Sequence, residues 1–303
     1  MSPVVSAEGV TKRFGRVTAL DNVSFELTDN TIHGLLGRNG AGKTTLMQLL
    51  TGQHFATAGR LTVFGQRPYE NAQVLDRICF IKESQTYPQA FAVRHALEAA
   101  RLLFANWDEA FAAELVEDFQ LPLRRSVRKL SRGMLSALGV TIGLASRAPL
   151  TLFDEPYLGL DAAARHIFYD RLITDYAEHP RTVVLSTHLI DEVSNLIERV
   201  LLIDRGRLLL DQSAESLRTE YVTVSGPAAS VDRLAGTGEQ LHREQLGNMA
   251  RVTVRRPLDA AERDRAASLG LELTPVSLQE LMVRMTTRGS GRDSGATVKE
   301  GAR

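Results

Sequence analysis

The sequence predicts an α/β protein with a mostly parallel sheet covered by helices on both faces. Three observations carry this. Short, mostly apolar runs at 31–36, 77–81, 150–153, 183–186 and 200–203 have the length of strands buried on both sides. Helical patterns at 43–50, 94–119, 135–145, 162–177 and 189–197 separate them. The first buried run breaks at a glycine-rich segment, 37–42, that leads straight into the first helix.

In chain order, Val4–Val10 and Val23–Leu27 alternate as strands do, and 60–64 reads as a further strand. Lys43–Leu50 reads as a helix with Gly52 just past its end. Ala, Leu, Glu and Arg dominate from Arg94 to Phe119, Pro122 interrupts, and a second apolar helix runs from about Leu135 to Ala145. Composition shifts after about Asp211. Strands at 221–224 and 251–254 and helices at 260–269 and 278–285 predict a small α+β appendage over 212–286. Residues 287–303, rich in Gly, Ser, Arg and Thr, are expected to be a disordered tail.

A chain of 303 residues is one large domain or two. Thirty-six basic and 36 acidic residues balance, which argues against a general nucleic-acid binder. A single cysteine, Cys79, forbids an intrachain disulfide, suits a reducing compartment and is expected in the core. No run of about 18 apolar residues predicts a transmembrane helix, and residues 1–9 lack a signal-peptide pattern.

The chemistry starts at Gly37-Arg38-Asn39-Gly40-Ala41-Gly42-Lys43-Thr44, which matches the phosphate-binding pattern G-x-x-x-x-G-K-[ST]. Glycines let successive backbone N–H groups turn inward around phosphate oxygens, and the following helix adds its positive end. Lys43 reaches the β- and γ-phosphates, the Thr44 hydroxyl ligates Mg²⁺, and Thr45 adds a hydroxyl near the α-phosphate. Such a loop serves GTPases, kinases, helicases and transporter ATPases alike.

Leu150–Pro156 narrows the choice. It is a mostly apolar strand ending in two carboxylates, Asp154 and Glu155, which point to opposite sides because neighbouring strand residues do. Asp154 is placed to hold Mg²⁺ through water, and Glu155 to address the attacking water as general base.

With Leu130-Ser131-Arg132-Gly133-Met134 about twenty residues ahead of Asp154, the chain resembles the ATP-binding cassette (ABC) family from about Val4 to Leu217. The segment is similar to the family signature LSGGQ. The resemblance implies that Ser131 and Gly133 contact ATP held by the opposite subunit, again through a helix N-terminus. It places Asp161, in Glu155-Pro156-Tyr157-Leu158-Gly159-Leu160-Asp161, in the D-loop, and makes His188 the switch histidine that senses the γ-phosphate. Phe14, in Lys12-Arg13-Phe14-Gly15, takes the place of the aromatic that stacks on adenine.

Three positions depart from the pattern. Arg132 and Met134 replace a glycine and a glutamine of the signature. Glu83 stands where a glutamine is usual, with Gln85 close by as another equivalent; an acid there adds repulsion toward Asp154 and Glu155 while still able to ligate metal. Thr151 interrupts an apolar strand.

The implied architecture is an ABC ATPase domain at 1–211, with an N-terminal antiparallel β part and a helical subdomain at about 91–146, followed by the appendage. The implied function is an ATP-binding and ATP-hydrolysing subunit, most like those of ABC-2-type exporters. It would use ATP and Mg²⁺, dimerise with a second cassette, and sit on the cytoplasmic face of the membrane through a separate transmembrane permease subunit, with no nucleic-acid partner. Two alternatives stay open: a soluble ABC ATPase acting on ribosomes or DNA, and a non-hydrolytic ATP-binding regulatory module.

Overall fold

The computed structural model describes residues 3–292 apart from 84, 237–238 and 257–258, with only the backbone of 288–292. The elements begin β1 (Val5–Phe14), β2 (Val17–Leu27), β3 (Ile32–Leu36), α1 (Lys43–Leu50), β4 (Ala58–Val63), α2 (Ala72–Leu75) and β5 (Ile78–Lys82). They continue with α3 (Val93–Leu103), α4 (Glu109–Asp118), α5 (Arg132–Ala145), β6 (Leu150–Asp154), α6 (Ala162–Glu178), β7 (Thr182–Thr187) and α7 (Ile190–Val193). Then come β8 (Arg199–Asp204), β9 (Arg207–Ser213), α8 (Ala214–Glu220), β10 (Tyr221–Pro227) and α9 (Ala228–Ala235). The last are β11 (Glu239–Leu246), β12 (Met249–Arg255), α10 (Ala260–Ser268), β13 (Glu272–Pro275) and α11 (Leu278–Arg292). Two compact units result: residues up to 188 with 195–211, and 189–194 with residues from 212 on. The sequence reading put 189–194 inside the first domain; the structure groups them with the second unit.

The first unit is built on a six-stranded sheet in the order β5-β6-β7-β3-β8-β9. Strands β5, β6, β7, β3 and β8 run parallel, so their C-terminal ends share one edge. Register sets Lys82, Asp154 and Ser186 side by side, and Thr187 beside Leu36. In open parallel sheets that edge is where ligands bind. A second sheet, β2-β1-β4, is antiparallel. Its apolar face meets α1 and the parallel sheet in one core containing Val10, Leu20, Met47, Leu50, Leu152 and Leu201. Burying such side chains contributes roughly 1.5–3 kcal/mol each, which fixes the helix carrying Lys43 and Thr44.

The buried polar groups of this core are accommodated. Thr151 donates to Ala148 O at 3.1 Å, so its hydroxyl does not disrupt β6. Burial pushes the Cys79 thiol up to about 12, which leaves it an inert core side chain. Burial likewise lowers the pKa of His33, whose ring nitrogen Nε2 lies 3.1 Å from Thr28 O.

Three helix boundaries differ from the sequence reading. The span 94–119 is two helices, because Phe104 turns extended and Asp108 starts α4 by accepting from Phe111 N at 2.8 Å. The span 189–197 holds only the short α7. Residues 287–292, expected in the tail, continue α11; 293–303 lie outside the described residues. The first turns of α11 present Leu278 and Leu281 as buried side chains, which gives the helix an anchor the tail composition did not reveal.

The second unit is an antiparallel sheet, β11-β12-β10-β13. Val224, Val252 and Val254 pack beneath Val231 and Leu234 of α9 and Ala266 of α10. On the sheet, Thr223 and Thr253 pair through their buried hydroxyls at 3.0 Å.

Candidate functional site

The glycine-rich turn between β3 and α1 is possible only with glycine at its ends. Gly37 has φ 154°, and a Cβ there would lie 2.2 Å from Ile203 O; Gly42 has φ 112°, and its Cβ would lie 2.7 Å from Ala19 O. The chain therefore folds tightly over the β8 end and delivers Lys43 to the first turn of α1. No acidic residue of α1 itself occupies that turn, so the positive helix end is not offset from within the helix.

A cavity of about 590 Å³ opens above the loop. Arg38, Asn39, Gly40, Ala41, Gly42, Lys43, Thr44 and Thr45 line it, together with Val17–Ala19, Glu83, Asp154, Glu155, Leu158 and His188. The loop, the two carboxylates and the histidine, spread over about 150 positions of sequence, thus meet at one edge of the sheet. Lys43 is buried; its Nζ donates to Gly37 O at 2.8 Å and lies 3.5 Å from Glu155 Oε1. Thr44 Oγ1 donates to Asp154 Oδ2 at 2.6 Å.

Glu155 leaves β6 in the left-handed region, φ 52°, an uncommon conformation for a non-glycine residue and one concentrated at functional sites. Its amide donates to Ser186 O at 3.1 Å, and its side chain is buried at the cavity edge. His188 Nδ1 donates to Glu155 Oε2 at 2.7 Å. A carboxylate only accepts, so this bond puts the proton on Nδ1.

Family comparison agrees with this constellation. The ABC transporter family model matches residues 20–158. The daunorubicin resistance ATP-binding protein DrrA3 of Streptomyces coeruleorubidus is 32% identical over 222 residues, 71% of this chain and 70% of that protein. The Nod factor export ATP-binding protein I of Paraburkholderia xenovorans is 28% identical over 301 residues, 94% of this chain and 97% of its own. The chain belongs to the ABC transporter ATP-binding proteins. Solved cassettes share its fold. The ATP-binding subunit of an ABC transporter has a TM-score of 0.64 at 21% identity, covering 71% of this chain and 92% of that one. A cassette dimer bound to ADP and Pi has a TM-score of 0.61 at 19% identity, covering 69% of this chain and 98% of that one. As a member of this family the chain is an ATP-binding ATPase coupled to transport.

The signature segment of this ABC subunit lies outside the cavity. Ser131 caps α5, its Oγ accepting from Met134 N at 3.2 Å. Gly133 is pressed against the turn after Glu155: a Cβ would come 2.6 Å from Gly159 O. Ser136 donates to Leu158 O at 2.6 Å, tying the same helix to the same turn. Asp161 caps α6 by accepting from Ala164 N at 2.8 Å. Ser131, Gly133 and Asp161 are absent from the lining of their own chain's cavity.

Two of the departures meet each other. Arg132 Nη2 donates to Glu83 Oε1 at 2.7 Å, so the cation in the 130–134 segment pairs with the acid just after β5. Glu83 still lines the cavity, whereas Gln85 does not. Phe14 is also absent from the lining; its ring stands edge-on to His54 at 5.2 Å with Lys12 Nζ 4.8 Å from its centre. It pairs in register with Val17, which does line the cavity.

Sequence reasoning gave Tyr157 no role, yet it touches Glu155, Thr187 and His188. Its only signal was an aromatic two residues after the second carboxylate. Val17, Thr18 and Ala19 were missed because nothing in an ordinary strand start marks a cavity wall.

For a divalent cation the donors fit. Asp154 Oδ1 is buried and has no hydrogen-bond partner among the described residues, while Oδ2 already meets the Thr44 hydroxyl. These are hard oxygen donors, the kind Mg²⁺ takes.

Proposed function

We propose that this subunit drives export through a separate membrane-spanning subunit, closing head to tail on a second cassette when ATP binds and opening when ATP is hydrolysed. The observation that carries the reading is the single cavity shared by the loop, Asp154, Glu155 and His188. Relatives named for export and drug resistance support the direction of transport. No helix among the described residues is long and apolar enough to cross a membrane, so in this reading another subunit supplies the path.

The nucleotide's phosphates lie on the amides of 38–45, with Lys43 moving from its carbonyl partners to the β- and γ-oxygens. Adenine stacks on Phe14. Thr44 and Asp154 would hold Mg²⁺, which when bound neutralises phosphate charge. Glu83 joins them only when Arg132 releases it. Glu155 accepts a proton from the attacking water, and His188 bonds the γ-phosphate until it leaves. Ser131 and Gly133 of each chain, with Asp161 behind them, complete the partner's site. Arg132 and Met134 leave those donors in place.

Light scattering after size exclusion tests this. Glu155→Gln with ATP and Mg²⁺ is expected to double in mass relative to the nucleotide-free chain. A mass that ignores ATP contradicts the closing mechanism.

A further inference from the structure

One buried tyrosine connects the carboxylate to the histidine strand. Tyr157 is 3% exposed, and its ring centre lies 5.7 Å from that of His188. Its hydroxyl donates to Glu155 Oε2. It accepts from Thr187 Oγ1 and from the His188 main-chain N–H, both at 3.0 Å. A phenol has one proton and two lone pairs, so these bonds use its whole capacity; His188 Nδ1, also 3.1 Å from the hydroxyl, already gives its proton to Glu155. With both lone pairs occupied, its proton is directed at Glu155. Burial first, and then the bond to Glu155, hold the phenol proton well above its usual range, so it remains a donor at any working pH.

The two oxygens of Glu155 are therefore unequal. Oε2 carries two donors, Tyr157 and His188 Nδ1. Oε1 has Lys43 Nζ at 3.5 Å, beyond good hydrogen-bond length.

We propose that Tyr157 is a positioning residue for ATP hydrolysis: its hydroxyl, steered by Thr187 and the His188 amide, pins Glu155 Oε2 so that Oε1 is presented to the attacking water. The inference rests on the reading of Glu155 as the general base. The charged and titratable groups around Glu155 are Lys43 from α1, His188 beyond β7, and Asp154 and Tyr157 from its own segment; Arg38 and Glu83 line the same cavity. Of these, Tyr157 and His188 bond the carboxylate at Oε2. Loss of the Tyr157 hydroxyl frees Glu155 Oε2 to turn away from that arrangement.

The test is steady-state ATP turnover by the full chain, for wild type, Tyr157→Phe, Thr187→Val and Glu155→Gln. Tyr157→Phe keeps the buried ring. Its kcat is expected to fall about tenfold, the size of one lost charge-assisted hydrogen bond, with KM for ATP within about twofold. Thr187→Val, which frees the phenol to turn, lowers kcat by about twofold, again with KM for ATP held. If Glu155→Gln is inactive while Tyr157→Phe keeps the wild-type kcat, the positioning role is overturned and the base stands. Turnover that survives Glu155→Gln overturns both. Should Tyr157→Phe fail to fold, a wild-type kcat in Thr187→Val overturns the proposal.

Discussion

Two clusters of buried charge lie in the same unit of this ABC subunit, and they are built to opposite ends. Around Asp175 the charges are closed on one another. Asp175 Oδ2 meets Arg181 Nη1 at 2.6 Å, Oδ1 meets Arg147 Nη2 at 2.7 Å, and Arg147 reaches on to Asp108 Oδ2 at 2.6 Å. Asp175 Oδ1 thus accepts from two nitrogens of Arg147, and Oδ2 from Arg181, so both oxygens are held by guanidinium groups. Around Glu155 and Asp154 the charges are left incomplete. Lys43 stands 3.5 Å from Glu155, Asp154 Oδ1 has no partner among the described residues, and both carboxylates border a cavity of about 590 Å³. A closed cluster ties Asp108, Arg147, Asp175 and Arg181 into one folded unit. An open one holds attraction in reserve for phosphate and metal.

The difference can be tested at each end. Asp175→Ala leaves the buried Arg181 guanidinium without its carboxylate and takes one of two carboxylates from Arg147. It is expected to lower unfolding free energy by about 3–5 kcal/mol in denaturant titration. A loss below about 1 kcal/mol would mean the closed cluster does not hold the fold. At the mouth of the open cluster the effect is smaller. Phe14→Ala is expected to weaken ATP binding about fivefold in calorimetry, roughly 1 kcal/mol of lost stacking, without changing the melting temperature. Unchanged affinity would draw the boundary of the nucleotide site inside Val17.

What the sequence revealed follows from how local each feature is. The glycines at 37, 40 and 42, with Lys43 and Thr44, form one continuous segment whose spacing states its chemistry. Asp154 and Glu155 were legible because they end a five-residue apolar strand. The parallel sheet followed from repeated short buried runs. Tyr157 escaped because two of its three partners, Thr187 and His188, lie about thirty residues away and are brought to it only by β7. The Arg132–Glu83 pair hid for the same reason: each looked like an isolated departure, and only the fold puts them 2.7 Å apart. Strand β11 was missed because Glu239–Leu246 is mostly exposed and polar and carries little period-two signal. The break at Phe104–Asp108 was obscured by uniform helix-favouring composition on both sides, although Asp108 is an ordinary N-cap.

The central claim is that the ammonium of Lys43, at the head of α1, neutralises the nucleotide's terminal phosphates. Lys43→Ala, measured for ATP affinity and turnover together with its melting curve, tests it most directly. The account predicts lost turnover and at least about tenfold weaker ATP binding, with the fold intact. An intact Lys43→Ala chain that binds and hydrolyses ATP like wild type would contradict it.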